Sequence, residues 1–237
     1  ALHGCSLFSR RGEVVSIIAA GNGPGVHGLW PQAIAMGYRT LVKPSLREPF
    51  TAQRLVHAME LAQLEEYVAF IPTDHKGADI MILESDLAIV YGGQNVVAKY
   101  ANNPKVLVQG PGRSKIVVGR DVDYKEAAAL AAQSALALGG AACVSTSAVL
   151  VECDPEKFAR KLREEFKLHS QPHSLTLCRK QEADVYEKIL EADNDASWSY
   201  RQTSHGCTLL PHVTLVDSVS DFKVQRELPF QCRFFSN

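Results

Sequence analysis

Short apolar runs that stop at glycine-rich turns constrain the fold of this chain more than any other feature of its sequence. Residues 14–20, VVSIIAA, form a β-branched run that ends at GNGPG. Residues 87–93, LAIVYGG, and residues 106–112, VLVQGPG, repeat the pattern. Such runs are typical of strands that are buried on both faces of a parallel sheet. The pattern therefore predicts strands that each lead through a tight turn into the next element.

Segments with helical periodicity lie between and after these strands. The run TAQRLVHAMELAQL is amphipathic, and Thr51 is its expected N-cap. An alanine-rich helix is predicted in YKEAAALAAQSALALGG, and a charged helix in DPEKFARKLREEFK, with Asp154 as cap and Pro155 at its first position. TLLPHVTLVDSV indicates a β-rich element, whereas residues 168–205 fit no clear pattern. The fold class predicted is α/β with a doubly wound, mostly parallel sheet, in which ligands bind at the carboxyl ends of strands.

Composition and charge exclude several kinds of partner. Of the residues, 46% are hydrophobic and 22% charged, and the net charge of -1 gives no reason to expect nucleic acid or an anionic membrane as partner. No apolar run approaches the roughly 20 residues that span a bilayer. The arginines near the start follow the apolar stretch, which is the wrong order for a secretory signal. We expect a cytoplasmic protein without a membrane span.

The cysteines and histidines do not form a metal-binding pattern. None of the six cysteines is part of a CxxC pair, and Pro172 interrupts the helical spacing of His169 and His173. We expect no metal site, and most cysteines are expected to be small core residues. Cys143 differs because GGAA precedes it and VST follows, so small neighbours leave its sulfur accessible to a substrate. The alternative is a buried structural thiol.

Short motifs are spread along the chain: NGP (22–24), KPSLREPFTA (43–52), YGGQ (91–94), QGPGRSK (109–115), GAAC (140–143), PHV (211–213) and ELPF (227–230). They occur in the order in which the aldehyde dehydrogenase superfamily has similar motifs, and the chain resembles that superfamily along nearly its whole length. Gln109 and Cys143 are 34 residues apart, which matches the separation of the family's general base and nucleophile. The resemblance implies an aldehyde-dehydrogenase-like fold. A Rossmann-type nicotinamide-cofactor domain would span 1–112, and an α/β catalytic domain 113–237.

The resemblance also implies a role for individual residues. Cys143 would attack a carbonyl carbon and form a thioester, and the Asn22 amide would donate to the oxyanion. Lys43 would bind the adenosine ribose of the cofactor, and Ser45 would contact a 2′-phosphate on that ribose. The turn of Gly92, Gly93 and Gln94 would receive the pyrophosphate, and Glu227 would bind the nicotinamide ribose. The alternatives are structural: a loop-forming asparagine, a solvated lysine at a strand end, a tight glycine turn and a surface carboxylate.

One departure from the family narrows the expected chemistry. The glutamate that activates water in aldehyde-oxidising members is replaced by Gln109, and an amide cannot accept a proton at neutral pH. The pattern is more similar to the fatty acyl-CoA reductases of the bacterial luciferase pathway. We therefore expect reduction of an acyl thioester, carried by coenzyme A or a carrier protein, to an aldehyde. The alternatives are oxidation of an aldehyde to an acid, and a non-catalytic scaffold.

Cofactor choice and assembly are further expectations from the resemblance. Leu46 stands where NAD-preferring members often have a glutamate, so a 2′-phosphate would meet no repulsion there. NADP is the expected cofactor, and NAD the alternative. Typical members are roughly twice as long, and the chain stops short of the family's C-terminal segments. A homo-oligomer is implied by the family, although the strand that usually mediates it is not evident in this sequence.

Overall fold

The structure is a computed structural model that divides into two compact units, unit 1 (Ala1–Pro111) and unit 2 (Gly112–Asn237). The residues that the structure describes are 9–140, 142–169, 177–178, 180–192, 200–203, 206–218, 220 and 231–235.

Unit 1 is built on a five-stranded parallel sheet with the order β3-β2-β1-β4-β5. The strands are β1 (Val14–Ile18), β2 (Arg39–Lys43), β3 (Val68–Phe70), β4 (Leu87–Tyr91) and β5 (Val106–Gln109). The helices are α1 (Trp30–Ala35), α2 (Phe50–Leu61), α3 (His75–Glu84) and α4 (Gln94–Tyr100), with short 3-10 turns at Pro24–His27 and Glu65–Tyr67.

The helices of unit 1 cover both faces of its sheet. Val15 and Ile17 of β1 belong to a core cluster that includes residues of α1 and α2. Ser16 points to the other face, where its hydroxyl donates to the Met81 carbonyl of α3 over 3.0 Å. This alternation along one strand places α1 and α2 opposite α3. The prediction of a doubly wound α/β fold is therefore confirmed.

Unit 2 contains a four-stranded parallel sheet of order β11-β12-β7-β6 and a three-stranded antiparallel sheet of order β8-β10-β9. The strands are β6 (Lys115–Val118), β7 (Ala148–Val151), β8 (Leu177–Cys178), β9 (Tyr200–Thr203), β10 (Gly206–Leu209), β11 (His212–Val216) and β12 (Gln231–Phe235). The helices are α5 (Tyr124–Leu136), α6 (Pro155–His169) and α7 (Lys180–Ala192).

The core of unit 2 depends on the alanine-rich helix that the sequence predicts. One face of α5 is buried against Phe158 and Leu162 of α6, because alanine side chains let the two helices approach closely. Asp154 caps α6 as predicted, since its carboxylate accepts from the Lys157 backbone N–H over 2.8 Å. The buried alanines of α5 are Ala127, Ala128, Ala131, Ala132 and Ala135.

The prediction of Thr51 as a helix cap is wrong. Helix α2 already includes Phe50, and Pro49 is at its N-cap position. The backbone N–H of Thr51 donates to a Glu48 carboxylate oxygen over 2.9 Å, so a glutamate outside the helix satisfies this donor. Among the described helices, none has the length and apolar character that crossing a membrane requires.

Candidate active site

Cys143 lies in the turn between α5 and β7, and its thiol is exposed and free of a disulfide. This rules out the alternative of a buried structural thiol. The next residues form a hydrogen-bonded turn, in which Ser145 N–H donates to the Ala142 carbonyl over 2.9 Å. The Ser114 hydroxyl donates to the Cys143 carbonyl over 3.4 Å. The backbone of the cysteine is thus held from a second segment of the chain while its sulfur stays accessible.

A left-handed stretch of backbone ends α5 just before this turn. Leu138, Gly139 and Gly140 have φ values of 51°, 70° and 72°. Glycine adopts this region without steric cost, but leucine does not, so neighbouring contacts must hold Leu138 there. Side-chain bonds join the two sides of the turn: Ser145 Oγ donates to the Ala137 carbonyl over 3.2 Å, and the Ser134 and Thr146 hydroxyls lie 2.6 Å apart.

Gly112 packs closely against the backbone of Cys143. A Cβ placed on Gly112 would lie 2.6 Å from the Cys143 Cα and would overlap its carbonyl group. Sequence reasoning assigned no role to Gly112 or Ser114, although both lie in the QGPGRSK motif. The signal was the second glycine of that motif, since a glycine is required where another backbone comes this close.

The segment after Gly112 is fixed to the start of β7. The Ser147 N–H donates to the Ser114 carbonyl over 3.0 Å. The Lys115 ammonium donates to Ser147 Oγ and to the Arg113 carbonyl, each over 3.0 Å. These bonds bring part of the QGPGRSK motif beside the cysteine turn, 31 residues later in the chain.

The predicted catalytic and cofactor residues of unit 1 lie at one edge of its sheet. Lys43 is the last residue of β2, Gly92 follows β4 directly, and the Asn22 loop follows β1. Because all the strands are parallel, their carboxyl ends meet at that edge. A Cβ on Gly21 would lie 2.5 Å from the Ser45 hydroxyl, so the loop that carries Asn22 approaches Ser45 closely.

Lys43 is not a solvated strand end, because only 4% of the residue is exposed. Burial lowers the pKa of its ammonium group, and the nearby Asp74 carboxylate opposes that shift. Its carbonyl accepts from the Ala19 N–H over 3.0 Å, which joins the end of β2 to the start of the Asn22 loop. Ser45 is half-buried, and its hydroxyl accepts from the Arg47 N–H over 3.2 Å.

The turn after β4 combines a packed glycine with an open one. A Cβ on Gly92 would lie 2.6 Å from Val96 Cβ, whereas a Cβ on Gly93 would meet no atom within 4 Å. Gly93 is the N-cap of α4, and Gln94, which is exposed, is the first residue of that helix. The Gly92 N–H donates to the Gln109 carbonyl over 3.1 Å, so the end of β5 lies at the same edge. Gln109 itself is half-buried.

Glu227 lies outside the described residues. Of the other predicted site residues, the structure brings Asn22, Lys43, Ser45 and the Gly92–Gln94 turn to one edge of unit 1, and it places Cys143 in unit 2. Within the described ranges, no group of three or more histidine, cysteine, aspartate or glutamate side chains could hold a metal ion.

A cavity of about 570 Å³ lies at the other edge of the unit 1 sheet. Val15, Leu87 and Val106, which line it, are at the amino-terminal ends of β1, β4 and β5. It is therefore separate from the edge where Asn22, Lys43 and Gly93 lie, and it contributes nothing to the candidate site.

Comparison with known proteins gives consistent matches to one family. A model described as the aldehyde dehydrogenase family matches residues 12–188. Malonate-semialdehyde dehydrogenase 1 of Geobacillus kaustophilus (strain HTA426) is 29% identical over 161 residues, which cover 64% of this chain and 33% of the relative. Alpha-ketoglutaric semialdehyde dehydrogenase of Bacillus subtilis (strain 168) is 24% identical over 213 residues, which cover 83% of this chain and 42% of the relative.

Solved structures agree on the fold. Indole-3-acetaldehyde dehydrogenase in complex with NAD+ matches 96% of this chain with a TM-score of 0.81 and 19% identity. Betaine aldehyde dehydrogenase from Staphylococcus aureus, also with NAD+, matches 95% with a TM-score of 0.80 and 21% identity. This chain spans 52% and 50% of those two structures, about half their length.

Proposed function

The chain belongs to the aldehyde dehydrogenase family, and from that premise we propose that it oxidises an aldehyde in an NAD(P)-dependent reaction with Cys143 as the nucleophile. The observation that carries the proposal is the exposed, free thiol of Cys143 in a turn whose backbone is fixed by Gly112 and Ser114. A nucleophile needs an accessible sulfur and a defined position, and this turn provides both. The two curated relatives are semialdehyde dehydrogenases, which favours oxidation over the acyl thioester reduction expected from the sequence.

In this reaction the Cys143 thiolate adds to the aldehyde carbon, and a tetrahedral adduct with a negatively charged oxygen forms. The Asn22 side-chain amide and the Cys143 N–H would donate to that oxygen. A bound nicotinamide cofactor supplies the hydride acceptor. Loss of hydride from the former aldehyde carbon leaves a thioester on Cys143. An acyl acceptor must then take the acyl group from the cysteine.

The carboxyl edge of unit 1 has features that suit a nicotinamide dinucleotide. Gly93 faces open space at the start of α4, where a phosphate can approach the backbone. Lys43 is buried at the end of β2, and its ammonium group can donate to ribose hydroxyls. Within this proposal, residues 1–112 bind the cofactor through Lys43, Ser45 and the Gly92–Gln94 turn, and residues 113–237 carry the catalytic cysteine.

Cofactor choice depends on the residue beside Ser45. Leu46 is 70% exposed. Because leucine has no carboxylate, this position does not repel a 2′-phosphate. NADP is the proposed preference, and NAD the alternative. Two of the matched structures contain NAD+, which supports the use of a nicotinamide dinucleotide without deciding between them. The family also supports a homo-oligomeric enzyme.

Reduction of an acyl thioester remains a second candidate because of Gln109. An amide cannot activate water, so the acyl group on Cys143 would be released slowly by hydrolysis. A coenzyme A or carrier-protein thiol exchanges with a thioester without a base of that kind, in either direction. The presence of Gln109 in place of the family's glutamate favours the fatty acyl-CoA reductase branch, with an acyl thioester as substrate.

Single-turnover mixing separates the two candidates. Aldehyde oxidation predicts rapid formation of NAD(P)H when the protein meets an aldehyde and NAD(P)+ without any thiol. Reductive chemistry predicts thiol release and NADPH consumption with an acyl-CoA and no turnover with aldehyde alone. Whichever signal the wild-type protein gives should be lost in Cys143→Ala and kept in Cys153→Ala, which removes another exposed cysteine. If the wild-type signal persists in Cys143→Ala, the proposal is overturned.

A further inference from the structure

His27 and Trp30 form a buried hydrogen bond close to the Asn22 loop. His27 is 3% exposed and Trp30 is fully buried. The indole Nε1–H of Trp30 donates to His27 Nδ1 over 3.1 Å, and the two rings meet edge to face at 85°. The pair links the last residue of the Pro24–His27 turn to the first residue of α1.

This bond fixes the protonation state of His27. An indole nitrogen can only donate, so Nδ1 must present its lone pair and the ring proton must be on Nε2. His27 Nε2 is also buried and has no hydrogen-bond partner among the described residues. A second proton would place an N–H at Nδ1 against the N–H of Trp30. The contact therefore exists only with neutral His27.

The His27–Trp30 contact attaches the turn that follows Asn22 to α1. Only Gly23 separates Asn22 from the Pro24–His27 turn, which is a single turn of helix closed by the Gly28 N–H donating to the Gly25 carbonyl over 3.1 Å. The start of the loop is attached separately, because the Ala19 N–H donates to the Lys43 carbonyl over 3.0 Å. The buried His27–Trp30 bond attaches the segment that follows Asn22 to a helix that belongs to the core of unit 1.

We propose that neutral His27 is a positioning residue, which holds the Asn22 amide in place through Trp30, and that protonation of His27 releases the loop and slows the reaction in acid. This inference rests on the proposed function only for its effect on catalysis. The structural part concerns the loop alone and can be tested without turnover.

The surroundings of His27 agree with a neutral ring at pH 7. Burial lowers its pKa, and the Glu48 carboxylate, from the segment between β2 and α2, opposes that shift. The sequences of β1, of the Pro24–His27 turn and of α1 contain no other titratable side chain. Because the pKa is lowered in the folded state, the neutral ring stabilises the loop at and above pH 6.5, and that stabilisation is lost as pH falls below this value.

Two substitutions separate positioning from bulk structure. The Oδ1 of His27→Asn occupies nearly the place of Nδ1 and can accept from Trp30, but it does not titrate. His27→Leu keeps volume but offers no acceptor. We expect His27→Leu to lower kcat by about tenfold to hundredfold with little change in KM, since a misplaced oxyanion donor weakens mainly the transition state. We expect His27→Asn to restore kcat and to remove the acid limb of the wild-type pH profile.

NMR tests the same inference independently of activity. In 15N-labelled protein, the Trp30 indole signal (assigned with Trp30→Phe) and the Asn22 side-chain amide signal should shift together, with the midpoint of the His27 ring. In His27→Asn both signals should be independent of pH over that range. The inference would be overturned if the Asn22 signal does not shift as His27 titrates, or if the acid limb of the pH profile persists in His27→Asn. A protein without aldehyde turnover but with coupled signals would contradict only the proposed function.

Discussion

The Cα of Gly112 lies against the backbone of Cys143, so closely that a Cβ on the glycine would be 2.6 Å from the cysteine Cα. The contact joins the QGPGRSK segment to the proposed nucleophile. The Ser114 hydroxyl, two residues after Gly112, donates to the Cys143 carbonyl. This is the group that a Cβ on Gly112 would displace. The position of the cysteine backbone is therefore set by a residue 31 positions earlier in the chain.

Gly112→Ala tests this contact. The added methyl group must push the Cys143 carbonyl away, and a displacement of about 1 Å at a reacting group can cost about 100-fold in rate. We expect kcat to fall by about that factor while the protein remains folded by circular dichroism. Gly119→Ala is the matched control, because its Cβ would come no closer than 3.1 Å to any atom, a side-chain oxygen of Asp121. Equal activity of the two variants would show that the contact is not needed.

Gln109→Glu tests the consequence of the missing base. If this position serves water activation, a carboxylate there should speed release of the acid from the Cys143 thioester by about 100-fold. The measurement is the steady-state phase after the NAD(P)H burst with an aldehyde substrate. Gln133→Glu, on the exposed side of α5, controls for the added charge. An unchanged steady state would mean that residue 109 does not face the acyl group.

Lys43→Met separates cofactor binding from stability. Loss of a charged donor to the cofactor should weaken NADP+ binding about tenfold to hundredfold, in line with about 1.5–3 kcal/mol for a hydrogen bond to a charged group. Since burial disfavours the ammonium, we expect the melting temperature to stay the same or to rise. Lys76→Met, at an exposed position of α3, is the control for calorimetric titration and melting. Unchanged affinity would exclude a role of Lys43 in binding.

Asp86→Asn tests how β1 is anchored. The Asp86 carboxylate accepts from the N–H groups of Glu13 and Val14 over 2.7 and 3.0 Å, and these two backbone bonds lower its pKa. A lowered pKa means that the stabilisation is present above the ordinary aspartate range and is lost as pH falls through the folded-state value. We expect a lower urea midpoint for the variant at pH 7 and a difference that shrinks as the pH falls below the ordinary aspartate range. A difference that persists in acid would contradict this account.

Much of the fold is predictable from local patterns. The strands of unit 1 are continuous apolar runs, and helix α6 begins at Pro155 because Asp154 caps it, so short-range chemistry determines both. Thr51 shows the limit of such reasoning, since Glu48 provides the oxygen that the sequence assigned to the threonine. A choice between two nearby acceptors depends on side-chain geometry and not on residue type.

The candidate site is predictable only in part. Cys143 and Asn22 could be singled out by motif, but the contact between Gly112 and Cys143 joins residues 31 apart and requires the fold. The burial of Lys43 likewise results from packing at the end of β2, which a motif does not encode. His27 has no sequence signal beyond its position near Asn22, because its role depends on the direction of one buried hydrogen bond.

Mapping the covalent intermediate is the most direct test of the account. The protein is mixed with an aldehyde and NAD(P)+, quenched in acid within seconds, and measured by intact mass and peptide mapping. We predict one added acyl group, located on Cys143, absent in Cys143→Ala and retained in Cys153→Ala. An acyl group on another residue, or no added mass in a protein that nevertheless forms NAD(P)H, would contradict the assignment of Cys143 as the nucleophile.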